Sequence, residues 1–147
     1  MVRLQKYQVK LVRESSLPYE TRKVNSSMEA TDIIKDFLKP QELPIEKFGF
    51  ICLNSSNDVV GVHIPFSGSV NITNIFIRDI ITRVLLNNAV SIILFHNHPG
   101  NSTSPSSQDI TTTDRIKKAC ELMEIKLLDH FIFTDNSYLS FAEKGLM

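Results

Sequence analysis

The spacing of apolar residues along the chain predicts alternating strands and helices. Apolar and polar residues alternate over residues 7–12, which predicts a first, peripheral strand. Ser26 and Glu29 then form the Ser-x-x-Glu pattern of a helix start, and Pro40 ends the segment. The helix between them has an apolar face made of Met28, Ile33, Ile34, Phe37 and Leu38. Residues 1–42 are therefore expected to form an N-terminal strand and helix.

The middle of the chain predicts a hairpin, a second helix and a buried strand. Strand-like runs at residues 48–53 and 59–66 are separated by a cluster of turn-forming residues at 54–58. The apolar period then becomes helical up to the Asn87-Asn88 pair, with Ile77, Ile80, Ile81, Val84 and Leu85 on one face. The fully apolar run at residues 91–95 is typical of a strand inside a covered sheet.

The last part of the chain adds one helix and two strands. Residues 106–123 have helical apolar spacing at Ile110, Ile116, Ala119, Cys120 and Met123. Runs at 126–133 and 138–141 flank a turn at 135–137 and predict the final two strands.

Composition fits one globular domain over residues 1–147. The chain is 42% hydrophobic, and its length suffices to bury roughly two-thirds of the unfolded surface. A formal net charge of zero does not favour a nucleic-acid or anionic-membrane partner. No apolar run approaches the roughly 20 residues of a membrane helix, so no membrane partner is expected. Cys52 and Cys120 lack a CxxC spacing and the N-terminus lacks an apolar signal region, which predicts a cytoplasmic protein.

The candidate chemistry begins where the buried strand ends. His96 and His98 are two residues apart, so in extended backbone their side chains project to the same side. Asp109 follows after a polar loop. Two imidazoles and one carboxylate leave an open fourth position on a tetrahedral ion, which is the layout of a catalytic zinc site. We therefore expect one Zn²⁺ per chain, with His96, His98 and Asp109 as ligands.

A hydrolytic zinc site also needs a proton acceptor and a hydrogen-bond donor. Glu46 precedes a predicted central strand that could carry it toward the metal, so it is the candidate base; Glu42 is the alternative. Ser106 could donate a hydrogen bond to the oxyanion of the tetrahedral intermediate. Ser106 and Asp109 also fit an ordinary helix start, so we expect the two functions to be divided, with Ser106 as the cap and Asp109 on the metal.

These residues resemble the signature of the JAMM (MPN-plus) metalloprotease family. His96-x-His98, seven further residues and Ser106-x-x-Asp109 follow the family pattern, with Glu46 as its upstream glutamate. The closer resemblance is to the RadC branch. It is carried by His-Asn-His-Pro-Gly at 96–100, Pro-Ser-x-x-Asp at 105–109, Leu-Asp-His at 128–130, Glu-Lys-Phe at 46–48, Gly68, Arg78 and Asn-Ala at 88–89.

The resemblance implies a fold, a site and an activity. The fold would be α/β, with a JAMM-type mixed β-sheet flanked by helices and a layered architecture like that of cytidine deaminases; residues 43–147 would be its metal-site core. His96, His98 and Asp109 would bind zinc, with Glu46 as general base and Ser106 assisting the oxyanion. The activity would be that of a zinc-dependent metallopeptidase or isopeptidase acting on a peptide or protein. We expect a short form without the helix-hairpin-helix module that RadC proteins often carry.

The same residues could support other chemistries. A Ser106–His98–Asp109 nucleophilic triad leaves His96 without a function and lacks a Gly-x-Ser-x-Gly turn. A zinc deaminase would need a Pro-Cys-x-x-Cys pair, which the sequence lacks. The main alternative is a DNA-repair-associated accessory protein or a metal-dependent nuclease without peptidase activity, with DNA as its partner. A non-catalytic binding module with a structural metal, which docks a partner through a sheet edge, is a further alternative.

Two more regions carry candidate roles. Asp129 and His130 lie in an apolar strand and either support a metal ligand or form a buried pair that holds a loop. His63 alternates within its strand and is predicted to be a surface residue.

Overall fold

A single mixed sheet organises the part of the chain that the computed structural model describes, residues 1–68 and 75–147. The strand order is β2-β1-β3-β4-β5. These strands are β1 (Lys47–Leu53), β2 (Val59–Ser67), β3 (Ser91–Asn97), β4 (Lys126–Phe133) and β5 (Tyr138–Ser140). β3 and β4 pair in parallel, whereas the β1–β2, β1–β3 and β4–β5 pairs are antiparallel.

Helices cover both faces of the sheet. They are α1 (Ser27–Leu38), α2 (Ile77–Leu86) and α3 (Ser107–Leu122), with a 3-10 turn at Pro40–Glu42. One core joins Ile34 of α1 to Ile51 and Phe95 of the sheet. The opposite core joins Ile80 of α2 and Ile116 of α3 to Phe50. This three-layer arrangement confirms the predicted α/β class with a mixed sheet flanked by helices.

The centre of the sheet explains the apolar run that leads to the candidate site. β3 lies between β1 and β4, and all seven of its residues are buried. A parallel partner requires a crossover connection, which α3 provides between β3 and β4. β3 is also two residues longer than predicted and includes His96 and Asn97. The strand therefore carries its last residues directly into the site.

Most predicted elements lie within two residues of their observed bounds, but the strand at residues 7–12 is wrong. Those residues are exposed and belong to no strand, because no neighbouring strand supplies hydrogen bonds to them in the described part of the chain. Four predicted apolar-face positions are also exposed: Met28 on α1, Leu85 on α2, Ile110 on α3 and Met123 directly after α3.

His63 is half-buried, which corrects its prediction as a surface residue. Its ring stacks on Phe50 with centroids 5.2 Å apart, and its Nε2 lies 2.6 Å from Asn87 Nδ2. Gly61 makes room for this contact, because a Cβ at that position would collide with the Asn87 amide. None of the helices in residues 1–68 and 75–147 is long and apolar enough to cross a membrane.

Candidate metal centre

The end of β3 and the start of α3 bring two imidazoles and a carboxylate together. The Nε2 atoms of His96 and His98 are 3.0 Å apart. Asp109 Oδ1 lies 3.4 Å from His96 Nε2, and Asp109 Oδ2 lies 3.5 Å from His98 Nε2. The three groups offer ligand atoms that all lie within 4.8 Å of one another. The geometry is that of a possible metal site, made of the three residues that the sequence suggested as ligands.

The separations within this cluster fit a tetrahedral ion. Zinc bonds of about 2.0–2.1 Å at tetrahedral angles place neighbouring ligand atoms about 3.3 Å apart. The two ring nitrogens are 3.0 Å apart, Asp109 Oδ1 lies 3.4 Å from His96 Nε2, and Asp109 Oδ2 lies 3.5 Å from His98 Nε2, so each separation is near that value. The donor set of two nitrogens and one carboxylate oxygen is also one that zinc accepts. The residues present therefore fit the metal that the sequence pattern implied.

The candidate ligands differ in their exposure and in their hydrogen bonds. His96 is fully buried, whereas the His98 side chain is 18% exposed. His98 Nδ1 lies 2.9 Å from the carbonyl oxygen of Ser102, which can only accept, so this nitrogen donates. In the neutral ring Nε2 then keeps its lone pair, and that lone pair is the one a metal requires. Of the two imidazoles in the cluster, His98 is the one exposed to solvent.

The electrostatics of the cluster favour an ionised aspartate. Burial acts to raise the pKa of Asp109, but the neighbouring His96 and His98 imidazoles outweigh it and hold that pKa well below its usual range. The hydrogen bond to Asp109 is the main reason that the pKa of His98 is raised. A negative carboxylate against two ring nitrogens is the charge arrangement expected of a cation site.

Ser106 and Asp109 form a complete capping box at the start of α3. The Ser106 N–H donates to Asp109 Oδ2 at 2.7 Å, and the Asp109 N–H donates to Ser106 Oγ at 3.0 Å. Ser106 is the cap, as predicted, but the expectation that Asp109 would not share in the capping is wrong. A carboxylate has about four lone-pair sites, so Asp109 can accept from the cap and still face the imidazoles.

Glu46 lies outside the three-residue cluster but beside it in the fold. It is half-buried and immediately precedes β1. After the hydrogen bond to Asp109, the charge of Glu46 is one of the further contributions that raise the pKa of His98. Its function as a base stays a prediction. Glu42, the alternative, lies exposed in the 3-10 turn.

Asn97 is a functional candidate that the sequence reasoning missed. Its Oδ1 accepts from the Lys47 N–H at 2.7 Å, and its Nδ2 donates to the Ile45 carbonyl at 3.0 Å. These two bonds hold the backbone on both sides of Glu46 against β3. A buried amide must satisfy its hydrogen bonds. An Asn in an otherwise apolar strand, between two candidate ligands, was the available signal.

Asp129 and His130 have different contacts. Asp129 fits the prediction of a residue that holds a loop, and His130 fits the prediction of a residue that supports a candidate ligand. Asp129 accepts from Ser140 Oγ at 2.5 Å and from the Ala142 N–H at 3.0 Å, so it holds the segment around β5. His130 is fully buried and lies 2.8 Å from His96 Nδ1 through its Nε2. Burial lowers the pKa of His130 well below its usual value, so the ring is neutral.

A mixed α/β sheet in which a histidine pair at a strand end faces an aspartate at a helix start defines a JAB-type domain with a candidate metal site. Residues 24–146 match the family described as RadC-like JAB domain, and the chain belongs to that family. This confirms the resemblance drawn from the sequence motifs. The family and the geometry together are consistent with a metal-dependent hydrolase.

Curated relatives agree with this assignment. The chain is 38% identical over 125 residues to a UPF0758 protein of Ectopseudomonas mendocina (strain ymp), which covers 84% of this chain and 56% of the relative. It is 38% identical over 130 residues to a UPF0758 protein of Pseudomonas fluorescens (strain Pf0-1), with 87% and 58% covered. A UPF0758 protein of Chromobacterium violaceum is 34% identical over 128 residues, with 86% and 57% covered. The chain thus spans less than three-fifths of the length of these relatives.

Proposed function

We propose that this protein is a zinc-dependent hydrolase that cleaves amide bonds, as a peptidase or an isopeptidase, with a metal-activated water. The observation that carries the proposal is the convergence of His96 Nε2, His98 Nε2 and the Asp109 carboxylate within 4.8 Å. Membership of the RadC-like JAB domain family supports it.

The three ligands would hold one zinc ion per chain. When bound, zinc supplies a Lewis acid and lowers the pKa of its water to about 7. His96 is buried and His98 is partly exposed, so the protein closes the inner side of the site and leaves the His98 side accessible. Substrate would approach from that side.

Glu46 would act as the general base. A base must lie within hydrogen-bond reach of the proton it takes, directly or through one water. The Asn97 side chain pins Ile45 and Lys47 to the end of β3, and this fixes the backbone position of Glu46 beside the ligand strand. Positioning by a buried amide is a physical reason to place the base here.

Ser106 would stabilise the oxyanion. Its Oγ accepts from the Asp109 N–H, so the hydroxyl keeps its own proton for donation. Ser106 is exposed and lies three residues before the ligand Asp109. A donor at this position would serve a substrate carbonyl that approaches from the accessible side.

The substrate class and the compartment belong to the same proposal. A formal net charge of zero gives little electrostatic attraction for a polyanion, which favours a peptide or protein over DNA. Cys52 and Cys120 are free and buried, a pattern that fits a reducing cytoplasm.

The test combines metal content with hydrolysis of defined probes. Zinc-loaded wild-type protein is assayed on a quenched-fluorescent peptide library, on peptides joined through a lysine ε-amine, and on duplex DNA. We expect amide cleavage, its loss in His98→Ala together with the zinc, and a fall of about 100-fold or more in kcat for Glu46→Gln with zinc retained. Cleavage of DNA alone, or full activity of Glu46→Gln, would overturn the proposal.

A further inference from the structure

The inner side of the site continues into a chain of buried polar groups. His96 Nδ1 contacts His130 Nε2 at 2.8 Å, and His130 Nδ1 contacts Thr113 Oγ1 at 2.6 Å. Thr113 Oγ1 in turn lies 2.6 Å from the main-chain carbonyl oxygen of Asp109. All four residues are buried, and they come from β3, β4 and α3.

Hydrogen-bond valence fixes the direction of every bond in this chain. The Asp109 carbonyl oxygen can only accept, so the Thr113 hydroxyl donates its single proton there. Thr113 Oγ1 must then accept from His130 Nδ1–H. In a neutral His130 ring, a proton on Nδ1 leaves a lone pair on Nε2, which then accepts from His96 Nδ1–H. The proton of a neutral His96 therefore sits on Nδ1, and its Nε2 is bare.

We propose that Thr113 and His130 are positioning residues that fix the His96 tautomer and connect His96 to Asp109 through a directional hydrogen-bond relay. The inference rests on the proposed metal site, because a bare Nε2 on His96 is what a metal ligand requires. The relay starts at one ligand and ends on the backbone of another. A metal bound by His96 and Asp109 would close it into a ring, so the loss of one relay member would loosen two ligands together.

The relay has a matched control one residue away. Thr112 lies on the same helix and is also buried, but its hydroxyl has no hydrogen-bond partner in the described residues. Thr113→Val and Thr112→Val replace the same hydroxyl by the same methyl group in the same helix. Thr113→Ser keeps the hydroxyl and serves as the conservative rescue.

The first readout is zinc affinity, measured by competition with a chromophoric chelator. Loss of a group that orients a metal ligand typically weakens binding by about 10- to 100-fold. We expect a loss of that size for Thr113→Val, and wild-type affinity for Thr112→Val and Thr113→Ser. Equal affinity of Thr113→Val and Thr112→Val would overturn the inference.

The second readout needs no variant and no metal. Long-range ¹H–¹⁵N spectra of the zinc-free wild-type protein report which ring nitrogen carries the proton. We expect a proton on Nδ1 of both His96 and His130, with His130 Nε2 bare. A proton on Nε2 of His96 and none on its Nδ1 would overturn the relay, even if the Thr113 variants fail to fold.

The two proposals fail separately. A protein that shows this tautomer pattern and this ranking of zinc affinities, yet cleaves no amide probe, supports the relay and overturns the proposed hydrolase. A protein that cleaves amides with His96 protonated only on Nε2 in the zinc-free state supports the hydrolase and overturns the relay.

Discussion

Two helices of this protein begin with the same local signal and have different surroundings. α1 starts at Ser26-x-x-Glu29 and α3 at Ser106-x-x-Asp109. At α1 the bonds of the cap are exposed, and Glu29 accepts from the Asn25 N–H at 2.6 Å. At α3 the carboxylate is buried against two imidazoles. At α3 the capping motif is part of a candidate ligand site because the sheet places two imidazoles opposite it.

The length of the acidic side chain contributes to the difference. The longer Glu29 reaches back to the residue before its cap, whereas Asp109 bonds to the N–H of Ser106 itself at 2.7 Å. The short side chain therefore stays at the helix start and keeps its oxygens 3.4 and 3.5 Å from the histidine nitrogens. One carboxylate caps the helix and faces the site.

The largest expected contrast between the two acids concerns metal binding. Asp109→Asn removes the negative charge of the ligand set and should weaken zinc binding by more than about 100-fold, beyond the usual cost of an outer hydrogen-bond partner. Glu29→Gln makes the same chemical change at α1 and should leave zinc affinity unaltered. Metal analysis and chelator competition on both variants check this, and wild-type affinity in Asp109→Asn would remove Asp109 from the site.

The two serines should separate capping from catalysis. Ser26→Ala and Ser106→Ala each lose a cap and should each lower the free energy of unfolding by about 1 kcal/mol. Only Ser106→Ala should also lower kcat on an amide substrate, by about 100-fold, because it removes an oxyanion donor. Zinc content should be unchanged in both. Denaturant unfolding and steady-state kinetics check this; an undiminished kcat in Ser106→Ala would leave Ser106 as a cap alone.

Removal of the metal should lower the free energy of unfolding only in proteins whose cluster at the start of α3 is intact. Free zinc at ten times its Kd should raise the free energy of unfolding by about 1.4 kcal/mol, since the ligand binds the folded state. A chelator should reverse this in wild type and in Glu29→Gln, and should have no effect on Asp109→Asn. Thermal melts with zinc and with chelator measure the shift, and an equal zinc shift in all three proteins would contradict the assigned ligands.

The smallest expected effect concerns His63, whose described contacts include neither the α1 cap nor the α3 cap. Burial, and then the charge of Arg83, lower the pKa of His63, against the hydrogen bond from Asn87 and the charge of Asp79. The folded state therefore disfavours protonation of His63. The contribution of His63 to the free energy of unfolding is complete above the unfolded pKa of about 6.5 and is lost as the pH falls below that value. His63→Gln should flatten that part of the pH–stability profile in zinc-free protein. An unchanged profile would show that the loss of stability at low pH arises from other groups, such as those at the start of α3.

Local periodicity was sufficient to predict most of the helices and strands. The start of α1, the β1–β2 hairpin and the extent of α3 follow from capping residues, turn formers and apolar spacing, which act over a few positions. The strand at residues 7–12 was predicted from alternation alone and is absent, because a strand needs a neighbour that alternation cannot supply. The exposure of Met28 and Ile110 has the same origin, since burial depends on the surface opposite.

The candidate site also has a part that the local sequence predicts and a part that depends on distant residues. The spacing of His96, His98 and Asp109 was enough to predict their convergence, because a strand end and a helix start orient side chains locally. The Asn97 contacts with Ile45 and Lys47, and the relay through His130, join residues that are far apart in sequence. They depend on how β1 and β4 pair with β3, which no local pattern specifies.

The position of the ligands within one strand–helix unit also has a consequence for biosynthesis. His96, His98 and Asp109 emerge from the ribosome in one short stretch, ahead of β4. Closing so short a loop around an ion has a small entropic cost, so a nascent chain could bind the proposed metal early. At that stage the three proposed ligands would lack the contact of His130 with His96, which forms only when β4 docks.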